Sequence, residues 1–176
     1  MARSVSGLRA VITAATLAAT VFAAPQAMAE EQPSLRIAKN ADAQTRSIAK
    51  SAPQVAAAAS TACGPGYELS KAMPLPQGID PKMRHATLFS YRRDSNKGGC
   101  SILDNNMGSS RHMKLSVCDS GRLYCDVDEG NFTEYAGPVF TGYPVCATVR
   151  AQVWGSGTSS GSPYIDYSTQ YAYLCD

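Results

Sequence analysis

Six cysteines, Cys63, Cys100, Cys118, Cys125, Cys146 and Cys175, are confined to the stretch after residue 62. An even number of cysteines behind an export leader predicts three disulfides in an oxidising compartment. Cross-links of this kind belong to small, loop-rich domains that must hold their shape outside the cell. Oxidation also removes the thiolate from the list of nucleophiles and metal ligands.

The leader itself reads as a secretory signal peptide over residues 1–29. Arg3 and Arg9 form a short basic start, Val11 to Ala24 is an apolar run, and Ala27-Met28-Ala29 offers small residues at the cleavage positions. The apolar run of 14 residues is shorter than the ~20 a membrane helix needs. No other segment is apolar enough to span a membrane. Residues 30–62 hold no aromatic residue and no cysteine and are rich in Ala, Gln and Ser. Such a composition buries too little apolar surface to offset its ordering entropy. It is expected to be a disordered spacer, or a propeptide removed near Ala56–Ala59, with at most a weak helix over Ser34–Lys50.

Residues 63–176 have the length of one domain. Arg3 and Arg9 account for the whole excess of basic over acidic residues, 16 against 14, so the mature chain is neutral. That balance gives no basic surface for nucleic acid. Along this stretch the apolar period is two. Met113, Leu115 and Val117 alternate with His112, Lys114 and Ser116. Val145, Ala147, Val149, Ala151 and Val153 alternate with Cys146, Thr148, Arg150, Gln152 and Trp154. A period of two places each set on one face of a sheet. Ala86–Arg93, Arg122–Val127, Phe132–Tyr135 and Tyr171–Cys175 are further strand candidates, separated by Gly-, Asn- and Asp-rich turns, including Asp128-Glu129-Gly130-Asn131. Short strands punctuated in this way predict an all-β domain, a small disulfide-stapled sandwich or barrel.

The pairing follows from placement. Val145–Trp154 and Tyr164–Cys175 flank a Gly/Ser loop and pair as a hairpin, which brings Cys146 and Cys175 together at its far end. Cys118 and Cys125 clamp the turn Asp119–Tyr124. By elimination Cys63 pairs with Cys100.

Asp128-Glu129-Gly130-Asn131-Phe132-Thr133-Glu134-Tyr135-Ala136-Gly137-Pro138-Val139 is the strongest local string. With Cys63-Gly64-Pro65-Gly66-Tyr67, Gly98-Gly99-Cys100 and the single cysteines at 146 and 175, it resembles the spore-associated protein A family, small proteins exported by Streptomyces and relatives. The resemblance covers Cys63 to Cys175. It implies a secreted domain found with the spore or cell surface, and no known reaction. The family pattern has four cysteines, matching Cys63, Cys100, Cys146 and Cys175; Cys118 and Cys125 are an added pair, and Met73–Pro81 departs from the family.

Candidate chemistry is sparse. Gly157-Thr158-Ser159-Ser160-Gly161 matches the G-x-S-x-G hydrolase pattern, but that pattern needs a strand-to-helix elbow and here lies in a Gly/Ser loop. His85 and His112 stand beside Arg84 and Arg111 on strand faces expected to meet solvent. Asp126-Val127-Asp128-Glu129-Gly130-Asn131 brings oxygen ligands together but lacks the glycine an EF-hand needs at its sixth position, so an acidic turn is expected. Tyr164, Tyr167, Tyr171, Tyr173 and Trp154 either stack on sugar rings or fill the core. Asn131-Phe132-Thr133 fits a glycosylation acceptor that bacterial export leaves idle. The expected function is therefore a secreted, non-catalytic surface or spore-associated structural protein, without metal or cofactor, meeting cell-wall or spore-surface components. The alternative is a secreted binding module, either a carbohydrate binder or a protease inhibitor using Ala136–Pro144.

Overall fold

The alternating segments build two four-stranded antiparallel sheets, in a computed structural model that describes residues 35–93, 97–121, 123–155 and 157–173. The first sheet holds β1 (Tyr67–Leu75), β2 (Ala86–Arg93), β3 (Gly99–Asn105) and β6 (Tyr135–Thr141), in that order. The second holds β5 (Cys125–Phe132), β4 (Arg111–Cys118), β7 (Thr148–Val153) and β8 (Ile165–Thr169). The sandwich expected from the sequence is present, and it is not a closed barrel. The expected leader 1–29 lies outside the described residues. Among those residues, no helix is long and apolar enough to cross a membrane.

The sheets share one core. Met73, Leu75, Ala86, Leu88, Leu103, Ala136 and Val139 come from the first sheet; Met113, Leu115, Val117, Val149, Ala151, Val153 and Ile165 come from the second. All of them are buried, and each large aliphatic side chain taken from water contributes about 1.5–3 kcal/mol. The Val145–Trp154 alternation is borne out from Ala147 to Val153, whereas Val145 is exposed. The expected hairpin is β7 against β8, with Val149 opposite Thr169 and Val153 opposite Ile165. Residues 171–173 lie outside any strand, so the strand expected at Tyr171–Cys175 ends instead at Thr169.

The expected disordered spacer is corrected between Leu35 and Ala62. That stretch forms α1 (Ala43–Ser51) and α2 (Pro53–Cys63), which cover the other face of the first sheet. Asp42 caps α1, its Oδ1 accepting from the Thr45 N–H at 2.7 Å, which satisfies one orphan donor of the first turn. Proline disfavours helical backbone in the residue before it, so Ala52 breaks α1 from α2 and Pro53 opens the second helix. Ile48, Ala49, Ala56 and Ala59 then pack on Leu69, Ala72, Phe89, Tyr91 and Ile102.

Polar ties fix this layer. The Tyr91 hydroxyl donates to the Ala56 carbonyl at 2.7 Å, and the Ala72 N–H donates to Thr45 Oγ1 at 3.0 Å. Ile37 pairs in parallel with Leu69, covering the β1 edge. The boundary at residue 63 is thus not a domain boundary, because α2 runs into Cys63 and the helices share the sheet's core.

A second correction concerns the acidic string. Asp128–Asn131 is not a turn; it lies inside β5. Asp126 and Asp128 sit opposite Val117 and Leu115, on the pleat that faces the first sheet. There they reach the β6 edge: Asp128 Oδ2 accepts from the Gly137 N–H at 2.6 Å, and Asp126 Oδ2 from the Phe140 N–H at 2.7 Å. The carboxylates therefore close one side of the sandwich and occupy donors that an open edge would offer to another chain. Gly137 has φ 104°, and a Cβ there would sit 2.8 Å from the Ser101 carbonyl, so glycine alone fits this crossing.

Candidate functional site

The first sheet has one face on the helices and one in the core. The second sheet has one face in the core and the other open. Its outward pleat carries Asn131, Glu129 and Val127 on β5; His112, Lys114 and Ser116 on β4; Thr148, Arg150 and Gln152 on β7; and Asp166 and Ser168 on β8. The registers set these side by side: His112 opposite Asn131, Lys114 opposite Glu129 and Gln152, Ser116 opposite Val127 and Arg150, and Arg150 opposite Ser168.

The charges of this face are paired within it. Lys114 Nζ lies 2.8 Å from Glu129 Oε2. Arg150 grips Asp166 bidentately, Nε to Oδ1 at 2.8 Å and an Nη to Oδ2 at 2.7 Å. Lys114, followed by His112, holds the Glu129 carboxyl below the usual range. The Arg150 hydrogen bond does the same for Asp166. Exposed pairs like these add little to stability in water, so they shape the surface more than they stabilise the fold.

At one end of the face, His112 lies between Asn131 Oδ1 at 3.1 Å and Glu129 Oε1 at 3.3 Å. Its ring meets Trp154 edge-on at 5.1 Å between centroids. Trp154 is buried, and its Nε1–H donates to the Gly161 carbonyl at 3.0 Å. At the other end, Ser116, Cys118, Thr148, Arg150, Asp166 and Ser168 line a groove of about 560 Å³.

The sequence-derived candidates distribute as follows. Cys63 bonds Cys100 with a Cα separation of 5.9 Å, and Cys118 bonds Cys125 with 4.0 Å; both pairings are as expected. Cys146 is disulfide-bonded, whereas Cys175, its expected partner, lies outside the described residues.

His112 stands on the open face, as the sequence suggests, but packs against Asn131, Glu129 and Trp154. The His112 side chain is 13% exposed. His85 is half-buried, stands edge-on to Tyr164 at 5.8 Å, and buries Nδ1 without a hydrogen-bond partner. The chain after Gly157–Gly161 enters β8 rather than a helix, so Ser159 has no nucleophile elbow. Ala136–Thr141 lies in β6 and Pro144 is buried, so Ala136–Pro144 is not the rigid exposed loop an inhibitor needs.

The aromatic group separates. Tyr173 fills the core, its hydroxyl bonded to Ser101 Oγ at 2.7 Å, and Tyr167 reaches Met73 Sδ at 3.2 Å. Tyr171 is exposed and Tyr164 partly so. These rings form no stacking platform on the open face.

Asp104 was not singled out from the sequence. It stands on β3 on the helix-facing pleat, and its Oδ2 accepts from Asn106 Nδ2 at 2.5 Å. Burial pushes its carboxyl up to about 6; the Asn106 hydrogen bond and Arg84 lower it, and Glu134 raises it.

Compared with protein-family models, with curated proteins and with solved structures, the chain matches none.

Proposed function

We propose that the chain is an exported, non-catalytic protein of the cell or spore surface, the role implied by its resemblance to the spore-associated protein A family. The observation that carries this reading is the state of the cysteines. Every described cysteine is oxidised, and disulfides persist in compartments outside the reducing cytosol. One of the observed bonds is buried and fastens α2 to β3; the other closes the β4–β5 turn at the surface. Removal of a disulfide from a small secreted domain costs about 2–5 kcal/mol, so the staples support survival where no chaperone acts.

Fractionation of culture medium, hyphae and spores with a specific antibody tests the reading. The expected result is protein on hyphal or spore surfaces. Confinement to the cytosol, or to the medium alone, contradicts it.

A second reading, a secreted binding module, is favoured by the open face of the second sheet. That face carries polar side chains whose charges cancel locally, and it ends in a concave groove.

A further inference from the structure

We infer that the groove across β4, β7 and β8 is a binding site for a neutral glycan chain. This rests on the surface reading above and names the partner through which the protein would stay at that surface.

The groove exists because three small side chains, Ser116, Thr148 and Ser168, lie on its floor between bulkier neighbours. None of their hydroxyls is hydrogen-bonded within the protein among the described residues. Each hydroxyl offers one donor and two acceptor lone pairs to a ligand. Beside them, the Arg150–Asp166 pair is fixed by two hydrogen bonds. That arrangement leaves further guanidinium donors and carboxylate lone pairs, held in a plane, to meet neighbouring hydroxyls of a sugar ring.

Charge selects the ligand class. Lys114, Glu129, Arg150 and Asp166 are all paired within the face, and His112 shares Glu129. An anionic or cationic polymer would have to break those pairs, whereas a neutral polyol need not. The apolar edge of a sugar ring also has a surface to rest on: Val127 is 47% exposed beside Ser116, and the Cys118–Cys125 disulfide walls the groove's end. Four strands at about 4.8 Å spacing give a face roughly 15 Å wide, room for a short oligosaccharide rather than a single ring.

The test uses the mature exported protein and co-sedimentation with insoluble chitin, cellulose and β-1,3-glucan. Carboxymethyl-cellulose retention serves as the anionic control, and soluble oligosaccharides of the same sugars serve as competitors. Wild type is expected to sediment with at least one neutral polymer and to be released by its soluble oligosaccharide. Two variants probe the groove: Ser116→Leu fills it without adding an aromatic ring, and Arg150→Gln removes the planar donor. Each should weaken retention at least about tenfold, the loss of one good charged hydrogen bond. Val55→Ala, exposed on α2 in the helical layer on the far side of the first sheet, should retain as wild type does. Near-ultraviolet circular dichroism of Trp154 checks that each variant is folded.

Retention on no neutral polymer overturns the inference. So does retention unchanged in both groove variants, or retention on the anionic polymer alone. Fractionation reads location without reference to the groove. A protein found on spores but indifferent to glycans therefore defeats this inference and leaves the surface reading standing.

Discussion

Asp104 is a half-buried carboxyl whose ionisation makes a pH-dependent contribution to stability. Its folded pKa, pushed up to about 6 from an ordinary 3.8, means that the folded state prefers the proton. Its own contribution to stability is greatest at acid pH and falls as pH rises from about 4 through 6, by up to ~3 kcal/mol for a shift of this size. Asp104→Asn keeps an acceptor for Asn106 and removes the charge. Urea melts at pH 7.5 should show the variant more stable than wild type by about 1–3 kcal/mol, and melts at pH 4 should show little difference. Equal gains at both pH values would place the effect in packing rather than ionisation.

Gly99 is a steric case at the same scale. A Cβ there would stand 2.7 Å from Tyr173 Cε1 and 2.9 Å from Thr141 Cγ2. Both neighbours belong to a packed interior in which Ser90 Oγ, Ser101 Oγ and the Tyr173 hydroxyl form a buried chain. Gly99→Ala should cost about 1–3 kcal/mol by overpacking, measured as a lower midpoint with an unchanged denaturant slope.

Among the elements, the β5–β6 seam makes the sharpest prediction. Asp128→Ala leaves the Gly137 N–H without its carboxylate and should cost about 1–3 kcal/mol, read by thermal unfolding. Asp128→Asn keeps an acceptor and should cost less. The Cys118–Cys125 bond is a separate device. In the chain-entropy model its short loop is worth about 2–3 kcal/mol, so Cys118→Ser with Cys125→Ser should lower the unfolding free energy by that amount. Full-length protein should still fold, because the β4–β5 ladder spans the whole strand from Arg111 to Cys118.

Element identity was legible where the period was clean. His112–Val117 and Ala147–Val153 alternate without interruption, and both are strands with the expected side inward. The outward residues Thr148, Arg150 and Gln152 could be read off the same alternation. Their role in a groove could not, because Asp166 and Ser168 meet them only through the β7–β8 register.

The helices were missed for a physical reason. α2 packs through Ala56, Ala59 and Cys63, a stripe at helical spacing made of small residues, and the bulk comes from Phe89 and Tyr91 of the sheet. Composition reads such a segment as too poor in apolar area to fold alone, and alone it would be. The acidic string misled in the opposite way. Asp126 and Asp128 look like turn or calcium chemistry until the sheet shows them capping a neighbouring edge.

Over residues 35–173 the chain is layered: helices, first sheet, second sheet, open polar face. The Cys63–Cys100 bond fastens the end of α2 to the first sheet, and Ile48, Ala56 and Ala59 share the buried core on that sheet's helix-covered face. The helix-covered face of the first sheet is buried, and the outer face of the second sheet carries the polar groove. Exposed Leu123 and Tyr124 lie on the turn that the Cys118–Cys125 bond closes, beside the groove's end.

As proposed, the protein is an oxidised sandwich, with its helical layer retained, displayed outside the cell. The most direct test is the intact mass of the protein extracted from hyphal and spore surfaces under alkylating, non-reducing conditions. The expected species begins at Glu30 and carries all six cysteines as disulfides with no alkyl adduct. A species beginning at or after Cys63, one with alkylated thiols, or one found only inside the cell with its leader attached would contradict it.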